Sequence, residues 1–169
     1  MRSGGRCPKL VHGMVRSGTM TSDTRKTRIF LIEDNDDHAE LVARSLETAW
    51  QRLELERAPD GESALKRLFE LRDMAAADPG VLPDLVLLDL RLPKVDGLEV
   101  LRRLKEDELL RPVPVVVLSS SDEDGDVARA YERFANSYVV KPLDFSRLGE
   151  LLDELGAYWL DVNRKPRHA

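Results

Sequence analysis

Cysteine is all but missing from this chain: Cys7 is the single one among 169 residues. That excludes an internal disulfide and a cysteine-based metal cluster. No paired histidines or cysteines are present to hold a softer metal. Long apolar runs are missing too, so nothing reads as a membrane span. The N-terminus lacks the apolar core of a secretory signal. A cytoplasmic location is therefore expected. There is no internal repeat and no linker to a second domain. What is present is 42% hydrophobic and 34% charged, the balance of a soluble globular domain with one full core.

The formal net charge is -5, unevenly placed. Residues 1–28 carry seven basic side chains against Asp23, a net of +6, which leaves -11 for the remainder. The basic stretch has little apolar content, no periodicity and no interleaved aromatics. Residues 1–27 are expected to be a disordered leader, or an over-long start ahead of Met14 or Met20. A nucleic-acid or membrane-binding arm is the disfavoured reading.

Beyond the leader, strand-like and helix-like runs alternate. "RIFLI", "DLVLLD" and "PVPVVVLSSS" are continuous apolar runs that suit strands covered on both faces. "LELERA" alternates, as a strand near a sheet edge would. "SYVVKP" is a short strand stopped by Pro142. Between and after them, "DHAELVARSLETAW", "DGESALKRLFELRDMAAA", "LEVLRRLKED", "DEDGDVARAYERFA" and "FSRLGELLDELGAYWLDV" repeat at helical period. Five strands alternating with five helices predict an α/β fold, a doubly wound parallel sheet over residues 28–162 with a short tail at 163–169.

The strands end in reactive side chains. Glu33 and Asp34 close the first, Asp89 the third, Ser119 the fourth and Lys141 the fifth. Ligands of such sheets bind beyond the carboxyl ends of the strands, so these residues gather on one rim. Carboxylates there repel: at about 5 Å and an effective dielectric of about 20, one pair costs roughly 3 kcal/mol. Something positive belongs among them. Three hard oxygen donors suit Mg²⁺, and Lys141 suits a phosphoryl oxygen. The set describes phosphoryl transfer to a carboxylate, with Asp89 attacking phosphorus in line.

This pattern resembles the receiver domain of response regulators, of the CheY-like type. The likeness runs from about Arg28 to about Val162. It rests on the acid pair, on "LLDLRLPKVDG", on the hydroxyl after strand four and on "YVVKP", with 22 residues from Ser119 to Lys141. It implies a flavodoxin-like strand order 2-1-3-4-5. It implies Asp89 as phosphoacceptor, and Asp34, Asp89 and the backbone carbonyl of Arg91 as metal ligands, with Glu33 acting through water. Ser119 and Lys141 would contact the phosphoryl group. Tyr138 would be an aromatic switch coupled to Ser119, and Lys141–Pro142 a cis peptide. Three features depart from the pattern: Glu33 where Asp is commoner, Ser119 where Thr is frequent, and no Gly in "FANSYVVKP". The long connection "RDMAAADPGVLPDLVLLDLRLPK", the serine run and the terminal "YWLDV" are similar to small stand-alone receivers paired with bacterial phytochrome kinases. The implied partner is a histidine kinase, of phytochrome type in that narrower resemblance.

Competing functions use the same residues. A phosphatase with an Asp nucleophile wants a second acid two positions on, where Arg91 stands. A flavodoxin-like cofactor binder wants a phosphate loop where "EDNDD" would repel phosphate. A phosphate sink or relay remains open. Only seven residues follow Val162, so output is expected through protein interaction. Asp36 and Asp37 read as first-turn helix acids, His38 as exposed, and Ser120 and Ser121 as turn residues. Tyr131 and Phe134 on helix four and Tyr158 and Trp159 at the chain's last helix are expected to anchor a homodimer, through the helix four, strand five and helix five face. The alternative is that Trp159 seals the core. Neither nucleic acid nor membrane is expected as a partner.

Overall fold

The computed structural model describes residues 26–49 and 52–163. The expected leader lies outside them except for its last two positions, and the tail except for Asn163. Strands β1 (Thr27–Ile32), β2 (Leu53–Ala58), β3 (Leu85–Leu88), β4 (Val115–Ser119) and β5 (Ser137–Val140) form one sheet. Every pairing is parallel, and the order is β2-β1-β3-β4-β5. Helices α1 (Asp36–Ala49), α2 (Gly61–Ala75), α3 (Gly97–Glu106), α4 (Asp124–Glu132) and α5 (Phe145–Gly156) make the crossovers and close the chain.

The apolar runs are continuous because both faces of the sheet are covered. Phe30, Ile32, Val86, Leu88, Val115 and Val117 point to one side and pack with Leu68 of α2 and Leu101 and Leu104 of α3. Their neighbours Ile29, Leu31, Leu85, Leu87, Val116 and Leu118 point to the other and meet Val42 and Leu46 of α1 and Leu148 and Leu152 of α5. Each such side chain contributes about 1.5–3 kcal/mol when fully buried. β2 lies at the edge, and its alternating residues are half-buried or exposed up to Ala58. Side-chain caps open four of the described α-helices: Asn35 accepts from His38 N, Asp60 from Ser63 N, Asp96 from Glu99 N and Asp144 from Ser146 N, each worth about 1 kcal/mol.

Three expectations need correction. The Lys141–Pro142 peptide is trans, since the described residues contain no cis bond. Lys141 is aimed instead by its backbone N–H, which donates to Ser119 O at 2.8 Å, and by two acids described below. Phe134 is not on the fourth helix. It lies two positions past α4 at φ 63°, where Ala135 N–H reaches back to Ala130 O and Phe134 N–H to Tyr131 O. That is the helix stop in which glycine is usual, and here Phe134 takes the glycine's place. The last helix changes character: α5 ends at Gly156 and a π-helical segment, Ala157–Val162, follows. Trp159 in that segment is buried in the second core cluster, with Tyr158 edge-on at 5.2 Å and exposed. Trp159 therefore belongs to the core and is not an exposed anchor.

Candidate functional site

β1 and β3 are neighbours, so Glu33 and Asp34 after β1 stand beside Asp89 after β3; Asp89 N–H donates to Ile32 O at 2.9 Å. One oxygen from each of the three carboxylates lies within 4.8 Å of the others. Glu33 and Asp89 are buried, whereas Asp34 is exposed. Lys141, also buried, bridges two of them: its Nζ donates to Asp89 Oδ2 at 2.6 Å and to Glu33 Oε2. Two backbone N–H groups add to this. Arg91 N–H donates to Asp89 Oδ1 at 3.0 Å, and Asn35 N–H to Glu33 Oε1 at 3.2 Å. From the end of β2, Arg57 donates to the carbonyls of Glu33 at 3.0 Å and Asp34 at 3.3 Å and pairs with Asp36 at 2.8 Å. The acidic turn is held from behind by a cation the sequence reading did not single out.

Ser119 ends β4 fully buried. Its hydroxyl accepts from Ser121 N–H at 3.3 Å. The Ser121 hydroxyl donates to Asp126 at 2.6 Å, and the Tyr138 phenol donates to the Ser121 carbonyl at 2.9 Å. Burial holds the Tyr138 phenol above its usual range, and Ser121 with Arg129 holds the Asp126 carboxyl below its own. The Arg91 side chain is exposed. Tyr131 and Phe134 are exposed as well, as are Val140 at the end of β5 and Leu143 beyond it.

His38, which the sequence pattern places on an exposed helix start, sits differently. It is half-buried, with Nδ1 3.4 Å from Glu33 Oε1 and 3.5 Å from Lys141 Nζ. The available signal was its place in the first turn of α1, since helical side chains lean back over the preceding turn.

Three carboxylates against one ammonium leave an excess of two negative charges. All donors are hard oxygens, and exposed Asp34 leaves the rim open to water. These residues fit a hydrated divalent cation. What the rim can do follows: it can hold such a cation against a carboxylate nucleophile, with an ammonium poised to follow an incoming oxyanion.

Comparison with known proteins agrees with this chemistry. The response regulator receiver domain family matches residues 29–153. The "Probable methanogenesis regulatory protein FilR2" of Methanothrix harundinacea is 46% identical over 138 residues, 82% of this chain and 86% of the relative. Response regulator Rcp1 of Synechocystis is 34% identical, covering 82% of this chain and 92% of its own. Its Mn²⁺-bound crystal structure superposes with TM-score 0.74. The phosphorylated cyanobacterial phytochrome response regulator RcpA is 35% identical with TM-score 0.76, covering 83% of this chain and 99% of that one. A doubly wound sheet of order 2-1-3-4-5, an acid trio at its rim and these likenesses lead to one conclusion: the chain belongs to the response-regulator receiver family, whose members signal by accepting a phosphoryl group.

Proposed function

We propose that Asp89 is the phosphoacceptor, in a Mg²⁺-dependent reaction with a histidine kinase as donor. The observation that carries it is the Lys141 bridge between Asp89 and Glu33, on a rim with two negative charges to spare. Asp34, Asp89 and the Arg91 backbone carbonyl would hold the cation, with Glu33 acting through water. When bound, the cation would supply positive charge against the phosphoryl oxygens beside the Asp89 carboxylate. An Asp89 oxygen then attacks phosphorus, the bond from phosphorus to the kinase imidazole breaks, and the electron pair leaves with the imidazole. Lys141 follows the oxyanion, and the Ser119 hydroxyl donates to another phosphoryl oxygen. Tyr138, bonded to the loop after β4, reads the change. The domain catalyses only this transfer and the later hydrolysis of its own acyl phosphate, in which water takes the phosphoryl group and the Asp89 carboxylate leaves.

The kinase proposed is of bacterial phytochrome type. The cyanobacterial likenesses support this, and so does the bacteriophytochrome response regulator AtBRR at 41% identity. The long α2–β3 connection, with its 3-10 turn at Pro79–Val81, fits the same group. Output passes through a homodimer on the α4, β5 and α5 face rather than through nucleic acid or membrane. No helix among the described residues is long and apolar enough to cross a membrane. Exposed Tyr131, Phe134 and Tyr158 are the proposed anchors.

Two measurements test this. Incubation with Mg²⁺ and a small phosphodonor should raise the intact mass by one phosphoryl group, and Asp89→Asn should abolish the gain; uptake by the variant at the wild-type rate would refute the assignment. In light scattering, the wild type should reach the dimer mass at micromolar concentration. Phe134→Gly, which suits the positive φ while removing the ring, should stay a protomer. Identical masses for the two proteins would leave the aromatic flank without the assigned role.

A further inference from the structure

Asp60 is the N-cap of α2 and only 7% exposed. One carboxylate oxygen caps the helix through Ser63 N–H at 2.8 Å. The other takes Lys94 Nζ at 2.8 Å. Lys94 lies in the β3–α3 loop at φ 66°, a left-handed conformation that costs a non-glycine residue about 1 kcal/mol or more and persists where neighbours over-determine it. Next to it the two elements touch through backbone. A Cβ on Gly61 would sit 2.0 Å from Val95 O, so only glycine lets the start of α2 approach this loop. The loop is also closed on itself, with Gly97 N–H donating to Leu90 O at 2.9 Å. Its tip is thus fixed at one end by β3 and at the other by α2. Between those anchors lie Asp89 and Arg91, the residues assigned above to the cation.

We infer that Asp60 and Lys94 are positioning residues for the divalent cation: their ion pair clamps the β3–α3 loop so that the Arg91 carbonyl and Asp89 carboxylate face one point. This rests on the reading of the rim as a cation site. Lys94 also holds the Asp60 carboxyl below its ordinary range, so the pair stays ionised at neutral pH. The clamp differs in sign from a plain charge effect. Removing an ammonium near an acidic rim should tighten cation binding by Coulomb attraction alone. Loss of a clamp should weaken it.

The test is calorimetric titration of the full chain with Mn²⁺ and with Mg²⁺, with no phosphodonor present. Lys94→Asn tolerates the left-handed backbone and removes the ammonium. Asp60→Ser keeps a helix cap and removes the carboxylate. Each should weaken Kd by about tenfold, the range found for outer partners of metal ligands. The double variant should weaken it little further, and Lys94→Arg should restore much of it. Urea midpoints check that each variant remains folded. A wild type that binds with measurable affinity, beside a Lys94→Asn variant that binds as well or tighter, overturns the clamp alone. A wild type that binds neither ion overturns the cation site and the clamp with it.

Discussion

Lys141 holds two carboxylates at once, and its removal would leave Glu33 buried without its cation. Breaking a buried pair on one side costs about 3–5 kcal/mol, so Lys141→Ala should lower the urea-derived stability by about that much. In Mg²⁺ it should still accept phosphate, because the nucleophile is Asp89. It should fail to pass the event on: phosphorylation-dependent hydrogen exchange in β5 and α4 should vanish. A wild-type exchange response in the variant would assign the reading step elsewhere. The strand-end residues were legible in the sequence because each follows an apolar run. The pairing of Lys141 with Glu33 was not, because which of the gathered acids the ammonium bridges is set by side-chain geometry between residues 108 positions apart. The trans Lys141–Pro142 bond was not either, since the intrinsic preference at proline is only about 0.5–1 kcal/mol.

At the scale of elements, the start of α3 is a tight backbone joint beside the phosphoacceptor position. A Cβ on Gly97 would sit 2.3 Å from the Asp89 carbonyl oxygen and 2.5 Å from Leu90 Cα. Backbone cannot step aside as a side chain can, so Gly97→Ala should push α3 off the end of β3. Its expected cost is about 1–3 kcal/mol, read by urea unfolding, together with slower phosphorylation of Asp89. Wild-type stability and rate in this variant would mean the joint gives more easily than its geometry implies. The elements themselves were legible, because apolar runs and helical periods are local signals. Their ends were less so. The stop at Phe134 uses a residue that rarely takes positive φ, and the π-helical turn carrying Trp159 shares its apolar pattern with an ordinary helix.

Across the whole molecule the two ends of the sheet differ. Opposite the rim, Lys105 of α3 is buried, its Nζ donating to Val113 O at 2.8 Å, Asn136 Oδ1 at 3.1 Å and Arg111 O at 3.2 Å. All three are neutral oxygens, and burial pushes this ammonium down to about 8. A lysine depressed in the folded state holds fewer protons there than in the unfolded chain, so its penalty is present at neutral pH and relieved above about 8. Relative to Lys105→Met, the wild type should gain up to about 3 kcal/mol between pH 7 and the ordinary lysine range, as read by urea midpoints. Parallel pH curves for the two proteins would exclude it. The acidic rim, by contrast, draws its ammonium from just past β5, the last strand among the described residues. A nascent chain whose β5 is still inside the ribosome carries Glu33, Asp34 and Asp89 without the ammonium that bridges two of them. Synthesis therefore sets the order of events: the reading step assigned to Lys141 becomes possible only when nearly the whole domain has emerged, later than the acids it reads.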